Sequence, residues 1–129
     1  MTKFNVATER REQMVDITDR VQKEVGGSGV TDGFCYVFVP HTTSGVTVNE
    51  GADPAVQHDF LQHLNELVPQ AGEWRHAEGN SDSHIKAMLV GTSVTLPVVD
   101  GRLQLGRWQA VFLCEFDGPR DRSVWVQVQ

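Results

Sequence analysis

The sequence predicts an α+β protein, a mostly antiparallel sheet or sandwich with three helices. Short apolar or alternating runs, typical of strands, are separated by turn residues. Three other segments place apolar residues at helical spacing. Most predicted strands follow one another through short connections, which favours an antiparallel α+β domain over a doubly wound α/β one. A chain of 129 residues fits one domain, residues 1–129.

The first predicted elements are two strands and a helix. "KFNVAT" and "QMVDIT" alternate in polarity, and "ERRE" is the expected turn between them. A helix is predicted over "DITDRVQKEVGGSG", with Thr18 or Asp19 as its N-cap and Gly26-Gly27 as its end. Its inner face would be formed by Ile17, Val21 and Val25.

The middle of the chain predicts a strand pair and the clearest helix. Gly33 to His41, "GFCYVFVPH", is nearly all apolar and predicts a central buried strand, with "GVTVNE" as its partner strand. In the segment that ends at Pro69, Asp53 suits a helix N-cap and Pro54 the first turn. One face of this helix would carry Val56, Phe60, Leu64 and Leu67.

The last part of the chain predicts a short helix followed by strands. The helix would run from about Ser83 to Val90 and end at Gly91. Its N-cap would be Ser81, Asp82 or Ser83. "SVTLPV" is a predicted strand, and Asp-Gly in "VVDGRLQ" suits a tight hairpin turn. "RWQAVFLCEFD" and "SVWVQV" are the last predicted strands, with "GPRDR" between them.

Composition excludes several classes of protein. Apolar residues make up 40% of the chain and charged residues 22%, which excludes a disordered chain. The formal charge of −6 argues against a general nucleic-acid binder. There is no signal peptide and no apolar run of membrane length, so we expect a cytoplasmic protein that binds no membrane. Cys35 and Cys114 lie in apolar runs without zinc-knuckle spacing and are expected to be buried thiols.

Three polar clusters stand at the ends of predicted strands and helices, where rigid elements commonly hold functional side chains. They are "PHTTSG" from His41, "NEGADP" from Asn49 and "HAEGNSDSHIK" from His76. Thr42, Thr43, Lys86 and free N–H groups at a helix start would suit a phosphate.

Histidines are the most distinctive side chains in these clusters. His58 and His63 lie within the long predicted helix and are expected to be solvated. His41, His76 and His84 lie beside carboxylates or hydroxyls, a combination that suits zinc or another divalent ion. The spacing of the last two matches no standard metal signature, and two structural alternatives remain open. His41 could cap a strand end, and His84 could complete a helix cap.

Glu115, in "FLCEF", has two possible orientations. An inward carboxylate in a strand costs several kcal/mol unless it is paired or metal-bound. An outward one costs little, and the alternation of the strand leaves both orientations open.

The sequence lacks GxSxG, P-loop, GxGxxG and HExxH motifs. Motifs and composition therefore do not name a reaction.

Three long motifs resemble one known family. "PHTTSGVTVNEGADPAVQHD", "EGNSDSHIKAMLVGTSVTLPVVDGRLQLGRWQ" and "CEFDGPRDR" are together similar to the YjbQ-like family, described as secondary thiamine-phosphate synthases, over about residues 3–128. The resemblance implies an α+β domain that assembles as a homotrimer. It also implies an enzyme activity that joins hydroxymethylpyrimidine diphosphate to thiazole phosphate and releases pyrophosphate. Departures are small: Ser44-Gly45 stands where many members have two alanines, Ser81 and Ser83 where alanine is common, and Arg107 where threonine is common.

Carried over by position, the family's polar signature falls on His41, Thr42, Thr43, Asn49, Glu50, Asp53, His76, Glu78, Asp82, His84, Lys86 and Glu115. Catalytic roles are predicted for His41, Glu50, Asp82, His84 and Glu115. Cofactor or phosphate binding is predicted for Thr42, Thr43, Asn49 and Lys86. A divalent metal, Zn or Mg, is predicted on His41, His76 and His84. The "EGNSDSHIKA" stretch would then be a capped helix that also forms one wall of a site.

The implied chemistry concerns a small phosphorylated substrate. Mg²⁺ would neutralise the departing pyrophosphate, while Lys86 and the helix N-terminus hold phosphate oxygens. Asp82 or Glu50 would position the metal, and His84 or His41 would act as general acid. Two alternatives are a metal-dependent hydrolase that uses the three histidines and a non-catalytic trimer that binds a phosphorylated metabolite.

Overall fold

A computed structural model describes all residues, 1–129. Eight strands and three helices form, and their bounds in chain order are β1 Thr2–Ala7, β2 Gln13–Asp16, α1 Thr18–Ser28, β3 Gly33–Phe38, β4 Ser44–Glu50, α2 Pro54–Leu67, α3 Ser81–Val90, β5 Ser93–Val99, β6 Arg102–Leu103, β7 Gln109–Glu115 and β8 Asp121–Val128. The predicted α+β class with antiparallel strands and three helices is confirmed.

The strands form two antiparallel sheets. The larger has the order β1-β8-β3-β5-β6, and the smaller has the order β2-β7-β4. The prediction that β4 pairs with β3 is wrong, since β3 lies between β8 and β5, and β4 pairs with β7. The expected turn between β1 and β2 is also not a hairpin, because these strands belong to different sheets. The chain switches sheets repeatedly so that each sheet can bury its apolar face.

Two apolar clusters define the layers. The larger lies between the inner faces of the two sheets and includes Val37, Val126 and Leu113, with Val21 and Val25 of α1. The smaller lies on the other face of the small sheet, under α2 and α3. The protein is therefore a two-sheet sandwich with α2 and α3 as a third layer.

The helix termini were predicted correctly for α2 but not for α1 and α3, and the N-cap of α1 is Ile17 instead of Thr18 or Asp19. Asp53 caps α2, accepting the Ala55 N–H at 3.0 Å, as predicted. The predicted inner face of α1 is confirmed, but α1 continues through the glycine pair and ends at Gly29, which has φ 75°. Side-chain capping of α3 by a residue from 81 to 83 is wrong. The N-cap is Asn80, and the three residues lie buried in the first turn.

The hairpin between β5 and β6 is confirmed. Asp100 and Gly101 have φ of 53° and 73°, as a tight two-residue turn requires. Both cysteines are buried and free, as expected. No helix in this structure combines the length and apolar character needed to cross a membrane.

Gly45 at the start of β4 allows a close contact with the end of α3. A Cβ built on Gly45 would lie 2.5 Å from the backbone oxygen of Gly91. Val46 also donates its N–H to that oxygen at 3.1 Å. Backbone atoms cannot yield as a flexible side chain does, so this spacing requires glycine at position 45.

Gly45→Ala is expected to lower the free energy of unfolding by about 1–3 kcal/mol, the usual penalty for overpacking. Gly26→Ala is the matched control, since nothing lies within 4 Å of its added Cβ in α1. That control should gain about 0.5–1 kcal/mol from helix propensity. Urea unfolding at one fixed protein concentration measures both. Equal stability of Gly45→Ala and the parent protein would contradict the close contact.

Candidate functional site

His41 follows β3 and has a fixed orientation. Ser123 of β8 donates its backbone N–H to His41 Nε2 at 2.9 Å. Because a backbone N–H can only donate, Nε2 is unprotonated, and the neutral ring has its proton on Nδ1. Burial, followed by the positive charge of Arg122, lowers the pKa of His41. At neutral pH His41 therefore presents an Nδ1–H donor.

His84 lies in the first half of α3, half-buried and near His76. The rings of His76 and His84 meet edge to face with centroids 5.2 Å apart. His76 Nε2 lies 3.4 Å from Glu78 Oε2. His84 itself has no side-chain hydrogen bond and no carboxylate in contact within the chain. A ring nitrogen of each of the other histidines lies within 3.4 Å of a backbone N–H or a carboxylate, namely His41, His58, His63 and His76. Both ring nitrogens of His84 are thus available to a ligand.

Two adjoining clefts share His84, and we call them together the histidine groove. One, of about 380 Å³, is lined by His41, Thr42, His84, Ala87, Met88, Gly91 and Thr92. The other, of about 440 Å³, is lined by Glu73, Trp74, Arg75, His76, Ser81, His84, Ile85 and Met88. The groove places His84 between the other two candidate histidines, so the first and third polar clusters of the sequence do come together.

The histidines do not fit a metal site within one chain. No group of three His, Cys, Asp or Glu side chains is arranged to hold an ion. Nε2 of His41 is occupied by the Ser123 N–H, which leaves a protonated nitrogen instead of a free lone pair. Metal binding by His41, His76 and His84 stays a prediction.

Glu115 points inward and forms a buried ion pair with Arg122. Its carboxylate is fully buried and accepts Arg122 Nε at 2.7 Å on Oε2 and Arg122 Nη2 on Oε1. Thr8 Oγ1 and the Asp117 N–H donate to the same carboxylate, each at 2.9 Å. Every oxygen is thus satisfied, which is what allows a charged pair to be buried.

The Glu115–Arg122 pair holds the segment after His41 in place. Arg122 Nη2 donates to Thr43 Oγ1 at 2.7 Å and to the Thr43 carbonyl at 3.3 Å. Arg122 also precedes Ser123, whose N–H orients His41. No surface of the Glu115 carboxylate is open to a ligand. Any contribution of Glu115 to a reaction would therefore act through Arg122 and the position of His41.

Lys86 and Asp82 form a second buried network behind the groove. Both side chains are fully buried, and Lys86 Nζ contacts Asp82 Oδ2 at 2.8 Å, Asn65 Oδ1 at 2.5 Å and Glu12 Oε2 at 3.3 Å. Arg11 donates to the two Asp82 oxygens at 3.0 and 3.2 Å. All three ammonium protons are used, so a direct phosphate contact by Lys86 would require breaking this network.

The network also fixes the ionisation of Asp82. Burial alone would raise the pKa of Asp82, but hydrogen bonds from Arg11 and Lys86 outweigh it and lower the pKa. A lowered pKa in the folded state contributes stability that is fully present above the unfolded pKa and is lost as pH falls through the folded pKa.

The second polar cluster lies elsewhere. Asn49 and Glu50, predicted to share the site with His41, line a different cleft beside α2. Thr42 lines the histidine groove, and Thr43 is buried with its hydroxyl hydrogen-bonded to Arg122.

The residues that sequence reasoning missed are Arg11, Glu12, Asn65, Arg75 and Arg122. The spacing of Asp82 and Lys86, four apart on a helix, was a usable signal for their ion pair, whereas nothing local signalled the Glu115–Arg122 pair.

Asp82→Asn is expected to destabilise the protein by about 3–5 kcal/mol at pH 7, because it leaves buried cations without their carboxylate. The difference from the parent protein should begin to shrink as pH falls below about 3.9, because Asp82 then takes up a proton in the unfolded state. It should vanish only below the lowered pKa of Asp82 in the folded protein. Urea unfolding from pH 7 to pH 3 measures this difference. Asp121→Asn, at an exposed position, is the control. A difference independent of pH would contradict the paired state of Asp82.

The orientation of His41 can be tested by NMR. Nitrogen-15 shifts of the imidazoles should show the Nδ1–H tautomer for His41 at pH 7. Its pKa should lie below the ordinary value of about 6.5, with burial as the main cause. An Nε2–H tautomer would refute the hydrogen bond from Ser123. A His41 pKa above the ordinary value would contradict the effects of burial and of Arg122.

Comparison with known proteins identifies the family. A family model described as UPF0047 protein YjbQ-like matches residues 2–129. A UPF0047 protein of Methanocaldococcus jannaschii is 47% identical, covering 98% of this chain and 91% of its own, and the UPF0047 protein YugU of Bacillus subtilis is 43% identical, covering 97% and 96%.

Solved structures agree in fold. An uncharacterised YjbQ/UPF0047-family protein of Clostridium acetobutylicum matches with TM-score 0.98 and 46% identity over 100% of both chains. A conserved hypothetical protein of Thermus thermophilus matches with TM-score 0.94 and 48% identity, also over 100% of both. The resemblance of the three long motifs is confirmed along nearly the whole chain, and the protein belongs to the YjbQ-like UPF0047 family.

Proposed function

We propose that the protein is an enzyme that acts on a phosphorylated small molecule bound in the histidine groove. The observation that carries this proposal is His84, a half-buried imidazole with no partner of its own between two other imidazoles. A half-buried polar side chain that could pair within the fold usually does so. An imidazole left free in a cleft is available for binding or for proton transfer near neutral pH.

The surroundings of His84 suit an anionic ligand. His41 offers an Nδ1–H donor and Thr42 a hydroxyl on one side, and Arg75 and His76 line the other side. Hydrogen-bond donors and a guanidinium are the groups that proteins use for phosphate oxygens. Glu73 at the rim limits how much negative charge the groove accepts, which favours a phosphate carried on an organic group over a free polyanion.

The groove supplies general acid–base chemistry from this chain's own residues. As the thiazole nitrogen bonds to the pyrimidine methylene carbon and the bond to pyrophosphate breaks, His84 would donate a proton to the departing pyrophosphate oxygen. His41 would donate a hydrogen bond from Nδ1 to a phosphate oxygen. The Glu115–Arg122 pair would keep the His41 segment in position. As the specific reaction we propose the condensation of hydroxymethylpyrimidine diphosphate with thiazole phosphate, which rests on the family resemblance. A homotrimer, also implied by that resemblance, would bring further residues to the groove.

The proposal predicts that His84→Gln lowers turnover by about 10²–10⁴-fold, the usual contribution of a general acid or base. His63→Gln is the matched control, because His63 lies exposed on α2 beside Glu66. Thiamine phosphate and pyrophosphate formation are followed with both phosphorylated substrates and Mg²⁺. Circular dichroism confirms that both variants are folded.

Other outcomes separate the alternatives. Tight binding of the substrates without any turnover would overturn the enzymatic proposal and support a non-catalytic binder. Hydrolysis of phosphate esters only after zinc uptake, measured by elemental analysis, would support a metal-dependent hydrolase. Unchanged turnover in His84→Gln would remove the histidine groove as the active site.

A further inference from the structure

A second cleft lies beside α2, apart from the histidine groove, and we call it the α2 cleft. It has a volume of about 570 Å³ and opens between α2, the end of α3 and the small sheet. Its walls include the rings of Phe60 and Phe112 and the side chains of Leu64 and Val90. Small-molecule sites in proteins are typically apolar clefts of about 300–1,000 Å³ with a few polar groups. The α2 cleft meets that description.

The charged side chains that line the α2 cleft are all acidic. Its polar residues are Thr47, Asn49, Glu50, Gln57 and Asp59, and the lining contains no lysine, arginine or histidine. The charged groups of the cleft are therefore carboxylates alone, whereas the histidine groove also holds the guanidinium of Arg75. A ligand that carries phosphate would be repelled by it, and a ligand that carries a positive charge would be attracted.

Glu50 is the group best placed to select a cation. It makes no ion pair within the chain, and its only side-chain hydrogen bond is from the Ala52 N–H to Oε2 at 2.9 Å. Glu50 is half-buried, so water screens its charge less, and its carboxylate attracts a cation more strongly than a fully exposed carboxylate would. Its position is set, because Gln57 Nε2 of α2 donates to the Glu50 carbonyl at 2.6 Å.

The apolar part of the cleft is incompletely covered. Leu89 is 64% exposed and Val56 is 38% exposed, and both line the cleft. Behind them Leu64 and Phe112 are buried and belong to the smaller apolar cluster. A ligand with a flat or branched apolar body would extend that cluster outward and remove this surface from water.

From these observations we propose that the α2 cleft binds a small organic cation, an ammonium group on an aromatic or branched apolar body. The ammonium would pair with Glu50 at the end of β4, with Asn49 and Asp59 nearby, and the apolar body would lie against Phe60 and Phe112. The net charge of −6 adds to the attraction for a cation. This site is independent of the proposed activity in the histidine groove.

The test uses three ligands of similar shape and different charge. 2-Phenylethylamine is a cation, 2-phenylethanol is neutral, and 3-phenylpropionate is an anion. Each is titrated into the ¹⁵N-labelled protein, and chemical shifts of α2 and the end of α3 are followed. We expect the amine to bind at least fivefold more tightly than the alcohol and the anion not to bind. Equal affinities for the three, or tighter binding of the anion, would overturn the proposal.

Two variants locate the charge selection. Glu50→Gln is expected to weaken amine binding about tenfold and to leave alcohol binding unchanged. Glu66→Gln is the matched control on α2, since Glu66 does not line the cleft. Glu50→Gln with unaltered amine binding would overturn the role of Glu50. His84→Gln should bind the amine as the parent protein does, which separates this test from that of the proposed function.

One further measurement tests whether a second copy of the chain, instead of a small ligand, covers the α2 cleft. Light scattering gives the oligomeric state of the parent protein and of Leu89→Glu, with Lys23→Glu, exposed on α1, as the control. Unchanged assembly of Leu89→Glu, together with amine binding to the parent protein, supports a ligand site. Loss of assembly in Leu89→Glu alone, with no amine binding to the parent protein, would make the cleft a contact between subunits and overturn the proposal.

Discussion

The ion pair between Glu115 and Arg122 is the constraint on which the rest of the site depends. Glu115 ends β7 in the small sheet, and Arg122 is the second residue of β8 in the large one. The pair therefore connects the two sheets at the same end of the sandwich. Two buried charges cost several kcal/mol each in lost hydration, so the arrangement persists only when hydrogen bonds complete it. Thr8, Thr43 and the Asp117 N–H supply them.

This constraint explains how a groove with three histidines can form from segments far apart in the chain. The pair fixes the Thr43 segment and the start of β8, and together these orient His41. A second buried network, from Lys86 and Asp82 to Arg11, fixes the first turn of α3 that carries His84. Charged groups inside the protein thus hold the walls of the groove, while the groove itself keeps one imidazole unpaired.

The helices and strands could be predicted from the sequence, but the pairing of the strands in the two sheets could not. Local patterns predicted all three helices and the major strands, because alternation and helical spacing are short-range signals. Sheet neighbours such as β1 and β8 lie more than 100 residues apart, and no local pattern encodes that pairing. The same limit applies to the site. The alternation of polar and apolar residues in β7 fits both an inward and an outward Glu115 side chain, and only its contact with Arg122 shows that it points inward. Asn49 and Glu50 were predicted to share the site of His41 because they also end a strand and belong to the family's polar signature, but β4 takes them to another cleft.

The backbone contact between Gly45 and Gly91 has a consequence for how a ligand would be received. With no side chain between the two segments, the His41 side and the α3 side of the groove cannot move closer together. The width of the groove is therefore fixed and limits the size of the ligand. The connection 69–79, which carries His76, is exposed throughout. A short ligand held by His41 and His84 would touch only side chains that buried networks hold in place, whereas a longer one that also reaches His76 would rest partly on a connection with no buried side chain.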